Sequence, residues 1–118
     1  MDKTEAVAAL TALAQENRLD VFRLLVKAGA EGLSPGRIAE TLGLPSATLS
    51  FHLSQLRHAG LVTFRREGRS LIYEAAYATM NDLLAYLTEN CCQGDVAECG
   101  VGICDTTELV AKTKRTRQ

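Results

Sequence analysis

Apolar residues along the chain repeat first at helical and then at strand spacing, with glycine and proline marking each change. Thr4 can cap a helix from Glu5 to Ala14, in which Ala6, Leu10, Leu13 and Ala14 share one face. Asn17 can cap a second helix, with Asp20 placed three residues on as in a capping box. Leu19, Phe22, Leu25 and Val26 form its apolar stripe, and Gly29 and Gly32 end it. Ser34-Pro35 starts a third helix, since a proline at the first helical position gives up an N–H that would have no partner anyway. Ile38, Ala39 and Leu42 face inward there, and Gly43 closes it. Pro45 and Ser46 open a fourth helix that turns Leu49, Leu53 and Leu56 inward and stops at Gly60.

The residues that follow change period. Leu61–Arg66 and Ser70–Ala75 are rich in β-formers and flank Glu67-Gly68-Arg69, which predicts a hairpin with Gly68 at its tip. A last helix is expected from Tyr77 to Glu89, with Met80, Leu83, Leu84 and Leu87 on its apolar side. Two short helices joined by a tight glycine-containing turn are the helix-turn-helix pattern. The fold class expected is mainly α with a β-hairpin wing, a winged helix-turn-helix in the order α-α-α-α-β-β-α. The first and last helices hold more apolar surface than one small core needs, which predicts a homodimer. Residues 1–90 are read as the DNA-binding and dimerisation domain and 91–118 as a cysteine-containing loop with a basic tail.

Bulk composition narrows the function. The 118 residues suffice for one domain, and 23% charged residues is ordinary for a globular chain. Arg18, Asp20, Arg23 and Lys27 interrupt the longest apolar stretch, so no run approaches the roughly 18 residues that span a bilayer. The start, Met-Asp-Lys-Thr-Glu, lacks a signal peptide's apolar centre, and the expected location is the cytoplasm, with no membrane partner. A net charge of −1 argues against indiscriminate nucleic-acid binding. The local field differs: between Ser46 and Ser70 the charged residues are Arg57, Arg65, Arg66 and Arg69 against Glu67 alone. Lys112, Lys114, Arg115 and Arg117 make a second basic run, for which a solvated tail is an equally good account.

Ser50-Phe-His-Leu53, Leu56-Arg-His-Ala-Gly-Leu-Val62, Arg65-Arg-Glu-Gly-Arg69 and Tyr73 resemble, in order and spacing, the core signature of the ArsR/SmtB repressors. The resemblance covers about Leu10 to Leu87 and implies a DNA-binding transcriptional repressor whose partners are double-stranded operator DNA and a second copy of itself. The residues themselves suit that role. Opposite Leu49, Leu53 and Leu56 the fourth helix is expected to show Ser46, Ala47, Thr48, Ser50, His52 and Gln55, short groups able to approach base edges in a major groove. Arg65, Arg66 and Arg69 are expected at the wing tip, against phosphates or in a minor groove. Bland alternatives stand beside each: a capping role for Ser46, a surface His52, a structural Arg57.

All four cysteines, Cys91, Cys92, Cys99 and Cys104, lie in one stretch near the end. Thiols in a reducing compartment favour metal binding or redox sensing over structural disulfides. Family sites elsewhere on this fold are missing. Ser34–Leu42 holds no Cys-x-Cys, and the last helix holds no histidine. The Asn90-Cys-Cys and Glu98-Cys99 elements are similar to the endings of arsenite-responsive members, which implies an arsenic-resistance repressor released when As(III) or Sb(III) binds Cys91, Cys92 and Cys99. Soft thiolates suit a soft ion. Adjacent cysteines on a helix point about 100° apart, so the last helix has to end or unwind at Cys91 and Cys92. Two alternatives remain open on the same residues: a four-thiolate zinc or cadmium site that adds Cys104, and a thiol-disulfide sensor. An enzyme is not expected, because Asp95 and Glu98 are the only charges from Cys91 to Glu98 and no basic residue stabilises a nucleophilic thiolate.

Overall fold

The computed structural model describes residues 1–90. The four cysteines and the basic tail lie outside the described residues. Met1–Leu83 forms one compact unit, and a second begins at Leu84, inside the last helix. The elements are α1 (Lys3–Leu13), α2 (Glu16–Ala28), a 3-10 turn (Gly29–Glu31), α3 (Pro35–Leu42), α4 (Ser46–His58), β1 (Val62–Glu67), β2 (Ser70–Ala75) and α5 (Tyr77–Leu87). This is the winged helix-turn-helix order expected, with the 3-10 turn added. No helix among the described residues is long and apolar enough to cross a membrane.

The first two helices start about two residues earlier than expected, for reasons visible in the caps, and the other three start where expected. Asp2 rather than Thr4 caps α1: its carboxylate accepts from the Glu5 N–H at 2.8 Å, and the Glu5 carboxylate accepts from the Asp2 N–H at 3.0 Å. Gln15 rather than Asn17 caps α2, its Oε1 accepting from the Arg18 N–H at 2.9 Å. The buried faces shift as well. Helix α1 buries Ala6, Ala9 and Ala12, small side chains that let it approach α2 and α4 closely, and leaves Val7 and Leu10 in solvent. Helix α2 buries Val21, Phe22 and Leu25 while Leu19 is exposed. Arg18 occupies the position one turn before Val21 and Phe22, and its Nε donates to the Ala12 carbonyl at 2.7 Å across the α1–α2 joint.

Val21, Leu25, Ile38, Leu49, Leu56, Leu61 and Val62 are the largest fully buried side chains, drawn from α2, α3, α4 and the start of the hairpin. Each contributes roughly 1.5–3 kcal/mol by leaving water, so the two helices of the turn motif are fixed to α2 through their apolar faces. Ser34 Oγ accepts from the Arg37 N–H at 3.3 Å and Pro35 sits in the first turn of α3. Gly43 ends α3 in the left-handed conformation, φ +68°, and only Leu44 and Pro45 separate it from α4. Pro45 holds the cap position of α4 without a side-chain hydrogen bond, so Ser46 is its first helical residue rather than its cap.

The wing strands pair antiparallel from Val62↔Ala75 to Glu67↔Ser70. Gly68 and Arg69 form a two-residue loop, and Gly68 has φ +63° at the position where such a loop needs glycine. The hairpin gains a third partner that the residue pattern does not show. Leu33 bridges Tyr73, with N–H to carbonyl distances of 2.9 and 2.8 Å in the two directions. Gly32 makes room for this contact. Its φ is +66°, and a Cβ there would lie 2.5 Å from the Tyr73 carbonyl oxygen and 2.7 Å from Ile72 Cγ2. The Tyr77 hydroxyl donates to the Val26 carbonyl at 2.9 Å, tying the start of α5 to the end of α2. Helix α5 ends at Leu87, two residues short of the expected Glu89, and Asn90 has φ +61°. The helix therefore stops ahead of Cys91.

Candidate nucleic-acid interface

Helix α4 buries Leu49, His52, Leu53 and Leu56, an i, i+3, i+4, i+7 stripe packed on α2 and α3. The opposite side is therefore fixed in direction. Ser46, Ala47, Ser50, Phe51, Ser54 and Gln55 are exposed, and Thr48 is half-buried. Apart from buried His52, no titratable side chain occurs from Ser46 to Gln55, so this face is neutral and made of hydroxyl, amide and hydrocarbon groups.

One position on α4 differs from expectation, and a second stands outside the expected set. His52, expected on the exposed face, is only 6% exposed and cannot reach a DNA groove. Its Nδ1 has no hydrogen-bond partner among the described residues. Burial, reinforced by the positive charge of Arg18, pushes its imidazole below the ordinary value of 6.5, so the ring is held neutral at pH 7. Phe51, which residue type would place inside, is 57% exposed. Helical period was the signal for both: residue 52 is three beyond Leu49 and four before Leu56, whereas residue 51 falls about 200° around the helix from Leu49.

On the wing the three arginines divide. Arg65 lies within β1, away from the tip. Its Nε donates to Glu67 Oε2 at 2.7 Å and its Nη1 to Glu74 Oε2 at 2.7 Å. Nη1 also reaches the Ala30 carbonyl at 3.3 Å, and Nη2 the Glu31 carbonyl at 2.9 Å. The hydrogen bond it donates to Glu67 leads in raising its already high pKa. With Nε, Nη1 and Nη2 all engaged, Arg65 pins the wing to the 3-10 turn, a positioning role in place of the expected DNA contact. Arg66 and Arg69 are exposed and make no ion pair among the described residues. Strand alternation turns Arg66 to the face opposite Arg65, and Arg69 is the loop residue itself.

One further contact joins helix to wing. The Arg57 guanidinium lies 4.7 Å from the centroid of the Phe64 ring, which stacks on Tyr73 at 5.4 Å and 25°. The stack runs from the last turn of α4 to the paired centre of the hairpin and ties helix to wing. Chemically, short neutral groups on a fixed helix suit base edges, and exposed arginines on a hairpin loop suit phosphates. No group of three His, Cys, Asp or Glu side chains able to hold a metal occurs among the described residues. The expected ligands Cys91, Cys92, Cys99 and Cys104 fall outside them.

Known proteins share this architecture. A family model described as a helix-turn-helix domain matches residues 13–64. The transcriptional activator HlyU of Vibrio cholerae is 31% identical over 80% of this chain and 84% of its own length. A Halobacterium salinarum protein named for an arsenical resistance operon, ArsR, is 40% identical over 58% of this chain and 52% of its own. Among solved structures, an ArsR-like transcriptional regulator from Rhodococcus sp. RHA1 superposes with a TM-score of 0.69 at 25% identity, covering 80% of this chain and 87% of that one. A Mycobacterium bovis domain described as a homodimeric winged helix-turn-helix DNA-binding domain gives a TM-score of 0.57 at 28% identity, covering 79% and 86%.

Proposed function

The chain belongs to the ArsR-like winged helix-turn-helix transcriptional regulators, and on that premise we propose that it represses an arsenic-resistance operon and leaves its operator when As(III) or Sb(III) binds Cys91, Cys92 and Cys99. The observation that carries the DNA half is the neutral, outward face of α4 beside the exposed Arg66 and Arg69. Ser46, Ala47, Thr48, Ser50 and Gln55 read base edges, and the two arginines hold phosphates. The protein acts as a homodimer in the cytoplasm. Val7 and Leu10 on α1 and, separately, Leu84 and Leu87 on α5 are exposed apolar side chains that a partner copy would cover. Two-fold symmetry then matches a pseudo-palindromic operator.

The sensing half rests on donor chemistry. The three cysteines offer soft thiolates, the ligand type that soft thiophilic ions select. Cys91 and Cys92 would hold the ion with Cys99; when bound it supplies a three-thiolate cross-link within that segment. Asn90 is left-handed, and adjacent thiols that share one ion need to leave helical geometry, where they would diverge by about 100°. The segment follows α5 directly, so the thiols act on the end of a helix that carries part of the apolar surface assigned to the dimer. A coupling of about 1–3 kcal/mol would weaken operator affinity roughly 5- to 150-fold.

Release of a promoter fragment, titrated with arsenite, antimonite, cadmium, zinc and peroxide, tests this reading. Arsenite and antimonite should release the wild type, and Cys91→Ser, Cys92→Ser and Cys99→Ser should each abolish release while Cys104→Ser keeps it. Release by zinc or cadmium that requires Cys104 would replace the metalloid with a tetrahedral metal. Release by peroxide alone would make the cysteines a redox switch.

A further inference from the structure

The centre of the exposed α4 face is occupied by an aromatic ring. Taking Leu49 as the middle of the buried stripe, helical rotation of about 100° per residue puts Ala47, Phe51, Ser54 and, in the last turn, His58 within roughly 40° of the point directly opposite. Ser50 and Gln55 sit toward the flanks. Phe51 is the only large side chain of this central group in the N-terminal half of α4, and it is 57% exposed. Its neighbours Ala47 and Ser54 are too short to shield it. Beneath it the buried His52 ring lies 5.9 Å away at 58°, which backs one side of the phenyl group. Phe51 is in the second turn of α4, within the N-terminal half that reaches base edges when such a helix enters a major groove.

A phenyl ring has no hydrogen-bonding capacity, so it cannot read the donor and acceptor atoms that distinguish guanine, cytosine or adenine. The one apolar group that a standard base pair presents in the major groove is the C5-methyl of thymine. Residues 46–55 also contain no arginine or lysine, which removes the commonest contact to guanine from this face. We infer that Phe51 is a specificity-determining residue whose ring packs on the C5-methyl of a thymine in each operator half-site. The same chemistry would accept 5-methylcytosine. This inference rests on the DNA-binding reading above.

The test uses the full chain and duplexes it selects from a random-sequence pool, with each thymine of the selected site replaced in turn by deoxyuridine, which lacks only the methyl. One thymine per half-site should prove sensitive. Its replacement should weaken wild-type binding about fourfold, the worth of one buried methyl, and roughly 15-fold when both half-sites are changed. Binding by Phe51→Ala should be indifferent to that replacement, and Phe51→Leu should show a smaller but real sensitivity. Cytosine at the position should bind weakly and 5-methylcytosine should recover most of the loss. The inference is overturned if no uridine position separates wild type from Phe51→Ala, or if Phe51→Ala changes the oligomeric state, which would make the ring a protein contact. Failure of the chain to enrich any sequence would overturn the DNA-binding reading itself.

Discussion

Helix α4 and the hairpin wing are neighbours, yet apolar burial and polar ties hold them in different proportions. Helix α4 is held from within, by Leu49, Leu53 and Leu56 against α2 and α3, and its outward face from Ser46 to Gln55 carries no charge. The wing is anchored by burial only at its base, where Val62, Tyr73 and Ala75 leave water, and further out it is held by polar ties from Arg65 and by the Leu33–Tyr73 bridge. The difference teaches how the two share one task. A helix that reads bases must not move, and a hydrophobic anchor fixes it without placing charge on the reading face. On the proposed function, a hairpin that grips phosphates has its charge at the loop, where Arg69 and Arg66 are exposed, and needs bracing at its base. Arg65 supplies that brace, although its residue type suggests a third phosphate ligand.

The sharpest way to break the comparison is to remove the wing's seat while leaving α4 untouched. Gly32→Ala forces a Cβ to within 2.5 Å of the Tyr73 carbonyl at a φ of +66°. It should cost on the order of 3 kcal/mol, seen in urea unfolding, with amide exchange rising in β2 before α4. Equal exchange gains in both would mean that the two regions share one anchor.

A smaller effect is expected at Arg65. Arg65→Gln removes the ties to Glu67, Glu74, Ala30 and Glu31 and should lower thermal stability modestly, because the ion pairs are partly solvent-exposed. Its effect on DNA should fall alike on all sequences, and Arg65→Lys should not restore it, since an ammonium cannot reproduce the fork. Full rescue by lysine would indicate that Arg65 contacts phosphate through charge alone.

Smallest is the pH effect at His52, which sharpens the account of α4. Its folded pKa lies below 6.5, so between the two values the unfolded chain binds the proton and the folded chain does not. This stability component is present above pH 6.5 and is lost as pH falls through the folded pKa. His52→Leu should therefore narrow the difference in urea midpoint between pH 7.5 and pH 5.5, with little loss at pH 7.5, because Nδ1 makes no hydrogen bond that would be forfeited.

The contrast also explains what the residue pattern could and could not convey. Ser34-Pro35, Gly43 and Pro45 announced the turn motif, and Gly68 between β-formers announced the wing, because these signals act within a few residues. His52 belongs inside by period although its polarity suggests the surface, and Phe51 belongs outside by period although its apolar ring suggests the core. The seat of the wing was illegible for a different cause. Arg65 meets Ala30 and Glu31 across 35 and 34 positions, and Gly32 meets Tyr73 across a comparable span, so no local signal could join them. At α1 the alanines took the core and left Val7 and Leu10 outside, since small residues permit the closer helix approach.

The division of labour between α4 and wing is tested most directly by measuring binding to the selected duplex and to a scrambled one across a range of salt concentrations, for wild type, Phe51→Ala and Arg66→Ala/Arg69→Ala. The wing variant should weaken both duplexes in parallel and flatten the slope of log affinity against log salt by about 4 in a two-fold dimer, about one for each lost arginine. Phe51→Ala should leave that slope unchanged and reduce the ratio between the two duplexes. An unchanged slope in the wing variant, or a changed slope with an intact ratio in Phe51→Ala, would contradict the account.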